Sequence, residues 1–375
     1  MNTKVAKSFL APLLASLLST GVMAQTPPDY AVDAAWPAGL PNDWILGQVS
    51  GLAVAPDDSI WIVHRPRSVS ASEAGAVQNP PLAQCCVPAP SVLQFDAAGR
   101  LLQAWGGPVW DPVAGQWREP DHDWPANEHG IYVDDDGYVW LAGNAESDQR
   151  LYKFSADGRH LLTIGDAAGS GDSNDPQRMG RPADLLVDTQ ADEVFVADGY
   201  RNRRIIVFDS QTGAYKRHWG AYGTRPDDAP LPAYSPGMAP AGQFMGPVHA
   251  VVSDAEQRLY VADRTANRIQ VFARDGRFLY ETVLAPWTLS NGSIWDLAIS
   301  PYDDGHWLFV ADGQNMKVWI LERETFAVAG SIGRGGRQAG QFDWLHNIAL
   351  DSQGNLYTAE VNNGRRIQKF VRRAP

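Results

Sequence analysis

The chain of 375 residues repeats one plan six times. Each repeat has an apolar strand, a turn rich in Asp or Gly, and a second alternating strand, as in "HAVVSDAEQRLYVADR" and "HNIALDSQGNLYTAE". A third strand such as "NRIQVFA" follows, and most repeats add a fourth that ends in Gly, as in "GRHLLTIG". The period-two alternation and the turn residues indicate antiparallel strands rather than helices.

Six four-stranded units predict an all-β fold, a six-bladed β-propeller whose repeats surround a central channel. The sixth repeat ends before its fourth strand, and the N-terminal segment "DYAVDAAWPAG" has the pattern of the missing one. We therefore expect this segment to close the ring in the last blade, which leaves no open sheet edge. Two separate β-domains would need a linker, for which residues 221–246 are the candidate. Because the repeat resumes directly after this stretch, we interpret it as a surface loop.

Residues 1–24 have the pattern of an export signal. Lys4 and Lys7 precede an apolar run that ends in the small-residue site "VMA". No later segment is apolar for long enough to span a bilayer, so we expect a secreted or periplasmic protein. The predicted organisation is a signal peptide over 1–24, an N-terminal segment with the closing strand over 25–48, and the propeller over 49–375.

The charge and the cysteines restrict the possible partners and the chemistry. A net charge of −12 argues against a nucleic-acid partner, because phosphate binding needs a basic surface. The only two cysteines, Cys85 and Cys86, are adjacent in a Pro-rich loop, where a disulfide between neighbours is possible in an oxidising compartment. Two neighbouring thiols without further ligands do not indicate a metal site.

Three of the eight histidines occupy one register of the first strands. When these strands are aligned on the residue before the turn, that register holds His129, His249 and His346 in blades two, four and six. First strands line the channel, so three imidazoles from alternate blades would surround its axis, as a catalytic zinc with one open position requires. The alternative is that they are buried or channel-lining histidines without a metal. In the other blades the register holds Ser50, Ala183 and Trp295.

The ends of the second strands lie on the same face as the histidines and carry Arg65, Tyr200 and Arg264. A phenol beside fixed positive charge could act as a base, and two guanidinium groups could hold a carboxylate. The alternative is that all three are surface residues at strand ends. Other polar residues recur in register and are therefore interpreted as structural: Arg204, Arg268, Arg366, Asp198, Asp263 and Asp312.

Several of these strand segments resemble sequences of a known protein family. The pattern "YVADRTANRIQVF" resembles the NHL repeat, and "VFVADGYRNRRIIVF" and "GQVSGLAVAPDDSIWIVHR" are similar to the lyase domain of the peptidylglycine α-amidating enzymes. The resemblance spans essentially the whole mature chain. It implies a six-bladed propeller with a central zinc, which cleaves an α-hydroxyglycine-extended peptide into the peptide amide and glyoxylate. The roles it implies are zinc ligand for His129, His249 and His346, base for Tyr200, and substrate-orienting group for Arg65 and Arg264.

The resemblance also implies a structural calcium in the channel, bound by backbone carbonyls and an Asp. The matching positions are Leu52, Ile131 and Asn347, so the carboxylate is replaced by an amide, which is a weaker ligand for a hard cation. Arg201 stands where a Cys is expected, and no monooxygenase domain precedes the propeller. We therefore expect a separate monooxygenase to supply the substrate.

The sequence thus predicts a zinc-dependent lyase that acts on an N-acyl- or peptidyl-α-hydroxyglycine, or on a similar carbinolamide. A non-catalytic NHL propeller that binds a peptide, a glycan or a protein partner is the alternative. A third possibility keeps the metal and hydrolyses another small acid or a lactone. The fold alone does not choose among them.

Overall fold

The computed structural model describes residues 25–166 and 171–373, which form six four-stranded antiparallel sheets. Within these ranges, helix is limited to short 3-10 turns, so the predicted all-β fold is confirmed. The signal peptide predicted for residues 1–24 lies outside the described residues. In the part of the chain that is described, no helix is long and apolar enough to cross a membrane.

The six sheets are the predicted blades, and in blades 1 to 5 the strands follow the chain from the channel outwards. Blade 1 contains Gln48–Val54, Ile60–Arg65, Val92–Phe95 and Leu101–Trp105. Blade 2 contains Glu128–Val133, Val139–Gly143, Leu151–Phe154 and His160–Ile164, and blade 3 contains Asp184–Asp188, Glu193–Asp198, Arg204–Asp209 and Tyr215–Trp219. Blade 4 contains Val248–Ser253, Leu259–Asp263, Arg268–Phe272 and Phe278–Val283, and blade 5 contains Asp296–Ile299, Trp307–Asp312, Lys317–Glu322 and Val328–Ile332.

Blade 6 contains Leu345–Leu350, Leu356–Glu360 and Ile367–Arg372, and its outermost strand is the N-terminal Tyr30–Asp33. Tyr30 pairs with Arg372 and Val32 pairs with Phe370, so the two ends of the described chain are held in one sheet. The predicted closure of the ring is confirmed. It ties the first blade to the last through backbone hydrogen bonds and leaves no free edge at the junction.

The remaining elements lie in the connections. A two-stranded parallel sheet joins Trp44–Ile45 to Val87–Pro88, and a hairpin pairs Val109–Asp111 with Gln116–Arg118. The stretch 221–246 is irregular apart from one 3-10 turn, as expected for a loop between blades 3 and 4. Cys85 and Cys86 are joined by a disulfide.

The hydrophobic core lies between neighbouring sheets rather than at one centre. Phe195 and Val207 of blade 3, for example, belong to the same buried cluster as Val251 and Phe272 of blade 4. Alternation along each strand presents one apolar face to each neighbouring blade, so every sheet is covered on both sides. The core therefore continues around the ring, and the polar residues at the strand ends remain available for the two faces.

Buried ion pairs brace the blades at the start of their third strands. Arg204 and Asp198 form a salt bridge of 2.8 Å with both side chains fully buried, and Arg268 pairs with Asp263 at the same position of blade 4. Asp198 also accepts a hydrogen bond from the backbone N–H of Gly180. These contacts agree with the structural role predicted for the recurring Arg and Asp residues.

Replacement of Arg204 by Gln should lower the free energy of unfolding by about 3 kcal/mol or more, because Asp198 is left as an unpaired buried charge. The guanidinium also donates to the backbone carbonyls of Ser173 and Asp175, which would lose their donor. Urea unfolding measures the difference. The matched control is Arg100→Gln, whose exposed pair with Asp96 should contribute less than about 1 kcal/mol. Equal effects of the two substitutions on the free energy of unfolding would contradict the structural role of the Arg204–Asp198 pair.

Candidate metal centre

The three histidines predicted to share one register converge at the channel axis. Their ligand nitrogens lie within 4.8 Å of one another, and all three residues are buried. The ring centroids of His129 and His346 are 4.8 Å apart, and those of His249 and His346 are 5.0 Å apart. Three buried imidazoles in this arrangement could hold a metal ion.

Each histidine lies in an irregularity of its first strand. The pairing register with the second strand shifts between Glu128 and Ile131 in blade 2, between Val248 and Ala250 in blade 4, and between Leu345 and Asn347 in blade 6. In each case the histidine is left outside the regular ladder. A β-bulge re-aims the side chain of its extra residue. The bulges therefore account for how the three imidazoles turn towards the axis.

The blades without a histidine supply the groups that orient two of the rings. The Nδ1 atom of His129 is 2.7 Å from the carbonyl oxygen of Ala183, and Nδ1 of His249 is 2.5 Å from that of Trp295. The carbonyls accept the Nδ1–H protons, which leaves the Nε2 lone pairs for the axis. Nδ1 of His346 instead donates to the side-chain oxygen of Asn347 at 2.5 Å. Each of the three histidines therefore has a hydrogen-bond acceptor for its Nδ1–H group.

The environment keeps all three imidazoles neutral. Burial lowers the pKa of His346 to about 3, and burial together with the neighbouring positive groups holds the pKa values of His129 and His249 well below the usual range. A neutral imidazole is the form that binds a metal ion. The donor set thus fits a zinc-type ion in number, chemistry and protonation.

Tyr200 reaches the same point from blade 3. Its hydroxyl group is 2.8 Å from Nε2 of His129 and 3.0 Å from Nε2 of His249. Gly199 makes this approach possible, because a Cβ at that position would lie 2.1 Å from the backbone N and O atoms of Val248. The phenol is therefore held against the imidazoles by the packing of its own turn on the first strand of blade 4.

The two predicted arginines flank the phenol. Nη1 of Arg264 is 3.4 Å from the Tyr200 hydroxyl group, and its guanidinium lies 4.4 Å above the Trp295 ring. Nε of Arg264 is buried without a hydrogen-bond partner. Arg65 donates to the carbonyl of Glu128 and to the side chain of Gln48, both at 2.8 Å. Among the described residues, neither arginine forms an ion pair with a carboxylate, so both charges are available to an anion.

Some neighbours of this site were not predicted from the sequence. The guanidinium of Arg181 lies 5.6 Å from the centroid of the Tyr200 ring and donates to the carbonyl of Asn144. Arg181 precedes the first strand of blade 3, outside the repeated pattern, so no comparison between repeats could identify it. With Arg201, it forms ion pairs with the exposed side chain of Glu146.

The positions predicted for calcium line the opposite part of the channel. Leu52, Ile131 and Asn347 border one cavity, together with the carboxylates of Asp184 and Asp296, which the sequence comparison missed. Both aspartates can be found in the sequence, because each lies one residue after the histidine register, directly after Ala183 or Trp295. Position 347 has an amide in place of a carboxylate, as the sequence shows, but Asp184 and Asp296 supply carboxylates to the same cavity.

Comparisons with known proteins agree with this architecture. No protein-family model matches the chain. It is 27% identical over 373 residues to peptidyl-alpha-hydroxyglycine alpha-amidating lyase 1 of Drosophila melanogaster, an alignment that covers 92% of this chain and 60% of that protein. It is 26% identical over 333 residues to peptidyl-glycine alpha-amidating monooxygenase B of Xenopus laevis, covering 84% of this chain and 33% of that protein. The chain thus spans less than two thirds of the length of these relatives.

Two further similarities concern the propeller itself. NHL repeat-containing protein 3 of Homo sapiens is 26% identical over 299 residues, which are 75% of this chain and 73% of that protein. A solved streptogramin B lyase structure superimposes with a TM-score of 0.53 at 12% identity, covering 92% of this chain and 98% of that one, and supports the fold alone. The chain is a six-bladed β-propeller that resembles the peptidyl-α-hydroxyglycine α-amidating lyases and the NHL-repeat proteins.

Proposed function

We propose that the protein is a zinc-dependent lyase that cleaves an N-acyl- or peptidyl-α-hydroxyglycine, or a similar carbinolamide, to an amide and glyoxylate. The observation that carries the proposal is the arrangement around Tyr200, whose hydroxyl contacts two of three converging imidazoles. Two arginines without a carboxylate partner flank it. A base, a metal site and an anion site are the components that this reaction needs.

In this mechanism His129, His249 and His346 would hold the zinc, which would supply Lewis-acid polarisation of the substrate hydroxyl group. Arg65 and Arg264 bind the substrate carboxylate and so place the hydroxyl-bearing carbon beside Tyr200. The Tyr200 oxygen accepts the hydroxyl proton while the C–N bond breaks, and the same proton is returned to the amide nitrogen. The products are an amide and glyoxylate, and no water is consumed.

Incubation of the purified protein with α-hydroxyhippurate, followed by an assay of glyoxylate, tests the proposal. We expect glyoxylate formation that a chelator abolishes and zinc restores. Metal analysis of the same preparation should find about one zinc per chain, since the three histidines form one site. The absence of enzymatic glyoxylate from a zinc-loaded sample would refute the lyase assignment.

A non-catalytic propeller that binds a peptide, a glycan or a protein is the second candidate function. The similarity to NHL repeat-containing protein 3, at an identity close to that of the amidating enzymes, favours it. A binding module has no requirement for stoichiometric zinc, so metal content separates the two candidates. We further propose that the protein is exported to the periplasm or medium and that a separate monooxygenase forms its substrate.

Replacement of Arg264 by Gln should lower kcat/KM for α-hydroxyhippurate by roughly 10- to 100-fold, because charged hydrogen bonds to the carboxylate are lost. The methyl ester of the same substrate has no carboxylate charge and provides the matched comparison. The substitution should lower the turnover of the ester less than that of the acid, since only the effect of Arg264 on Tyr200 is lost with the ester. Equal losses with the acid and the ester would show that Arg264 does not bind the carboxylate.

A further inference from the structure

The connection between blades 3 and 4 is held over the end of blade 4. This connection, residues 221–246, is largely irregular, but near its end the carbonyl of Ala241 accepts a hydrogen bond from Arg268 at 2.9 Å. In its middle, the hydroxyl group of Tyr234 donates to the carbonyl of Pro286 at 2.7 Å. Residues 231–241 therefore form a fixed arch, attached to blade 4 and to the connection between blades 4 and 5.

Two cavities lie beneath this arch. Their volumes are about 380 Å³ and about 220 Å³, and Tyr234 and Met245 border both of them. The smaller cavity is lined mainly by apolar residues, among them Met238, Val283 and Pro286. Methionine side chains adapt to the shape of a ligand, and an apolar cavity of about 150 Å³ already accommodates a benzene molecule. The smaller cavity is therefore large enough for a ring or for several methylene groups.

The polar groups in the cavity walls already have partners in the protein. Arg268, at the smaller cavity, is ion-paired within its own blade. Arg203, at the larger cavity, donates to the carbonyl of Ala229 at 2.7 Å, and the hydroxyl group of Thr265 donates to the carbonyl of Gly246. These groups therefore do not require a polar ligand.

Large apolar side chains are also exposed beside the cavities. Trp287 is 79% exposed and Leu289 is 55% exposed, and Leu289 lines the larger cavity. Both residues belong to the same connection as Pro286, which borders the smaller cavity. Exposed apolar side chains around an apolar cavity are typical of a ligand-binding site. The apolar surface therefore continues from the cavities to the outside of the protein.

The cavities begin directly beside the candidate anion site. Arg264, Thr265 and Ala266 form one 3-10 turn, in which Thr265 lines the larger cavity and Ala266 lines the smaller one. Successive Cα atoms are about 3.8 Å apart, so both walls begin within about 8 Å of the Arg264 backbone. The side chain of Arg264 reaches the Tyr200 hydroxyl group at 3.4 Å. A molecule whose carboxylate is bound by Arg264 can therefore extend from Tyr200 into the cavities.

The strand register gives the length of such a molecule. Val248, Asp263, Arg268 and Val283 are paired in one row across blade 4, and Val248 directly precedes His249. Neighbouring strands are about 4.8 Å apart, so the cavity wall at Val283 lies about 14 Å outwards from the first strand. An extended peptide of about four residues, or an acyl chain of about ten carbons, spans this distance.

We propose that the two cavities bind the aliphatic chain of an N-acyl substrate and so select long-chain N-acyl-α-hydroxyglycines. The inference rests on the proposed lyase function, since it assigns the carboxylate of the same molecule to Arg264. An aliphatic chain fits this surface better than a peptide does, because each peptide group brings an N–H and a C=O that need partners inside the cavity. The arch of residues 231–241 is then the segment that determines specificity.

Calorimetric titration of the full chain with N-acetylglycine, N-hexanoylglycine and N-decanoylglycine tests the proposal. These compounds have no α-hydroxyl group, so they are not cleaved. Each methylene group that enters the cavities should raise the affinity about 3- to 4-fold, and N-decanoylglycine should bind at least about 100-fold more tightly than N-acetylglycine. An affinity that does not depend on chain length would overturn the proposal.

A cavity-filling variant and a matched control locate the chain. Val283→Trp fills the smaller cavity, so it should weaken the binding of N-decanoylglycine at least about 10-fold and that of N-acetylglycine less than about 2-fold. The control Val328→Trp changes a similarly exposed valine at the start of the fourth strand of blade 5 and should affect neither affinity. Equal effects of the two variants on N-decanoylglycine would place the chain elsewhere.

Methyl NMR of the unmodified protein, labelled at methionine, does not depend on zinc, on turnover or on a variant. N-decanoylglycine should shift the methyl resonances of Met238 and Met245, and it should leave that of Met179, in the core between blades 2 and 3, unchanged. These shifts without any glyoxylate formation would refute the lyase and support the cavity assignment. Unshifted Met238 and Met245 would overturn the cavity assignment, and tighter binding of acetyl-Leu-Leu-glycine than of N-decanoylglycine would overturn the choice of an acyl chain.

Discussion

The His249→Ala variant should contain less than about 0.1 zinc per chain and should lose at least about 1000-fold in kcat/KM for α-hydroxyhippurate, because two imidazoles do not form a stable zinc site. Its Nδ1 is fixed by the carbonyl of Trp295, which leaves Nε2 directed towards the axis and in contact with the Tyr200 hydroxyl group. The measurements are metal analysis after dialysis and the glyoxylate assay.

The matched control for this result is His218→Ala. His218 lies on the outermost strand of blade 3, and its ring contacts Tyr215 rather than the channel. This variant should keep its zinc and its activity. His249→Gln, which keeps a polar side chain of similar length, should also lose zinc while maintaining the fold. A zinc-loaded and active His249→Ala protein would show that the three histidines are not the metal site.

The architecture could be predicted because strand periodicity repeats. Apolar alternation, Asp-Gly turns and the incomplete sixth repeat were sufficient to predict six blades and closure by the N-terminal strand, which pairs Tyr30 with Arg372. The histidine register could be predicted for the same reason. In a propeller, residues at the same position of each repeat lie at about the same distance from the axis. An alignment of the repeats therefore shows which residues lie close together in space.

The groups around the histidines could not be predicted in this way. Ala183 and Trp295 orient His129 and His249 through backbone carbonyls, which any residue at those positions would provide. The side chains at these two positions therefore do not indicate that their carbonyl groups orient the histidines. The bulges that turn the imidazoles inwards are likewise a property of backbone pairing, and the sequence of one strand does not reveal them.

The carboxylates of Asp184 and Asp296 were missed for a different reason. The comparison of repeats followed the histidine position, where blades 3 and 5 have Ala and Trp, and the acidic residues come one position later. Only the structure shows that this neighbouring position also enters the channel. Two adjacent registers of the first strands therefore line this channel. One carries the three histidines and the other carries Asp184 and Asp296.

The two ends of the channel differ in the charge of the side chains around them. Near the histidines, Arg65, Arg181 and Arg264 surround Tyr200, whereas the opposite cavity is lined by aspartates without a basic residue among those described. An anionic substrate such as an α-hydroxyglycine would therefore be attracted to the histidine end and repelled from the other. The protein as a whole carries a net charge of −12, so the arginine-rich mouth is a local feature.

The Tyr200→Phe variant should lose roughly 100- to 10,000-fold in kcat for α-hydroxyhippurate while KM changes little, since general-base catalysis contributes about that much to a rate. Zinc content should stay at that of the unmodified protein, because the phenol is not needed to hold the ion. This combination distinguishes a base from a ligand or a structural residue. The substitution removes one oxygen and leaves the ring on the turn formed by Gly199.

The control for this variant is Tyr215→Phe, which removes a hydroxyl group from an exposed position of the same blade and should leave kcat unchanged. Because Arg264 donates to the Tyr200 oxygen, loss of that oxygen also leaves its guanidinium free to bind substrate more tightly, so KM should not rise. If kcat were retained in Tyr200→Phe, the proton would have to be taken by a group other than Tyr200. A retained kcat would therefore exclude the proposed route of the proton even if zinc and glyoxylate were both found.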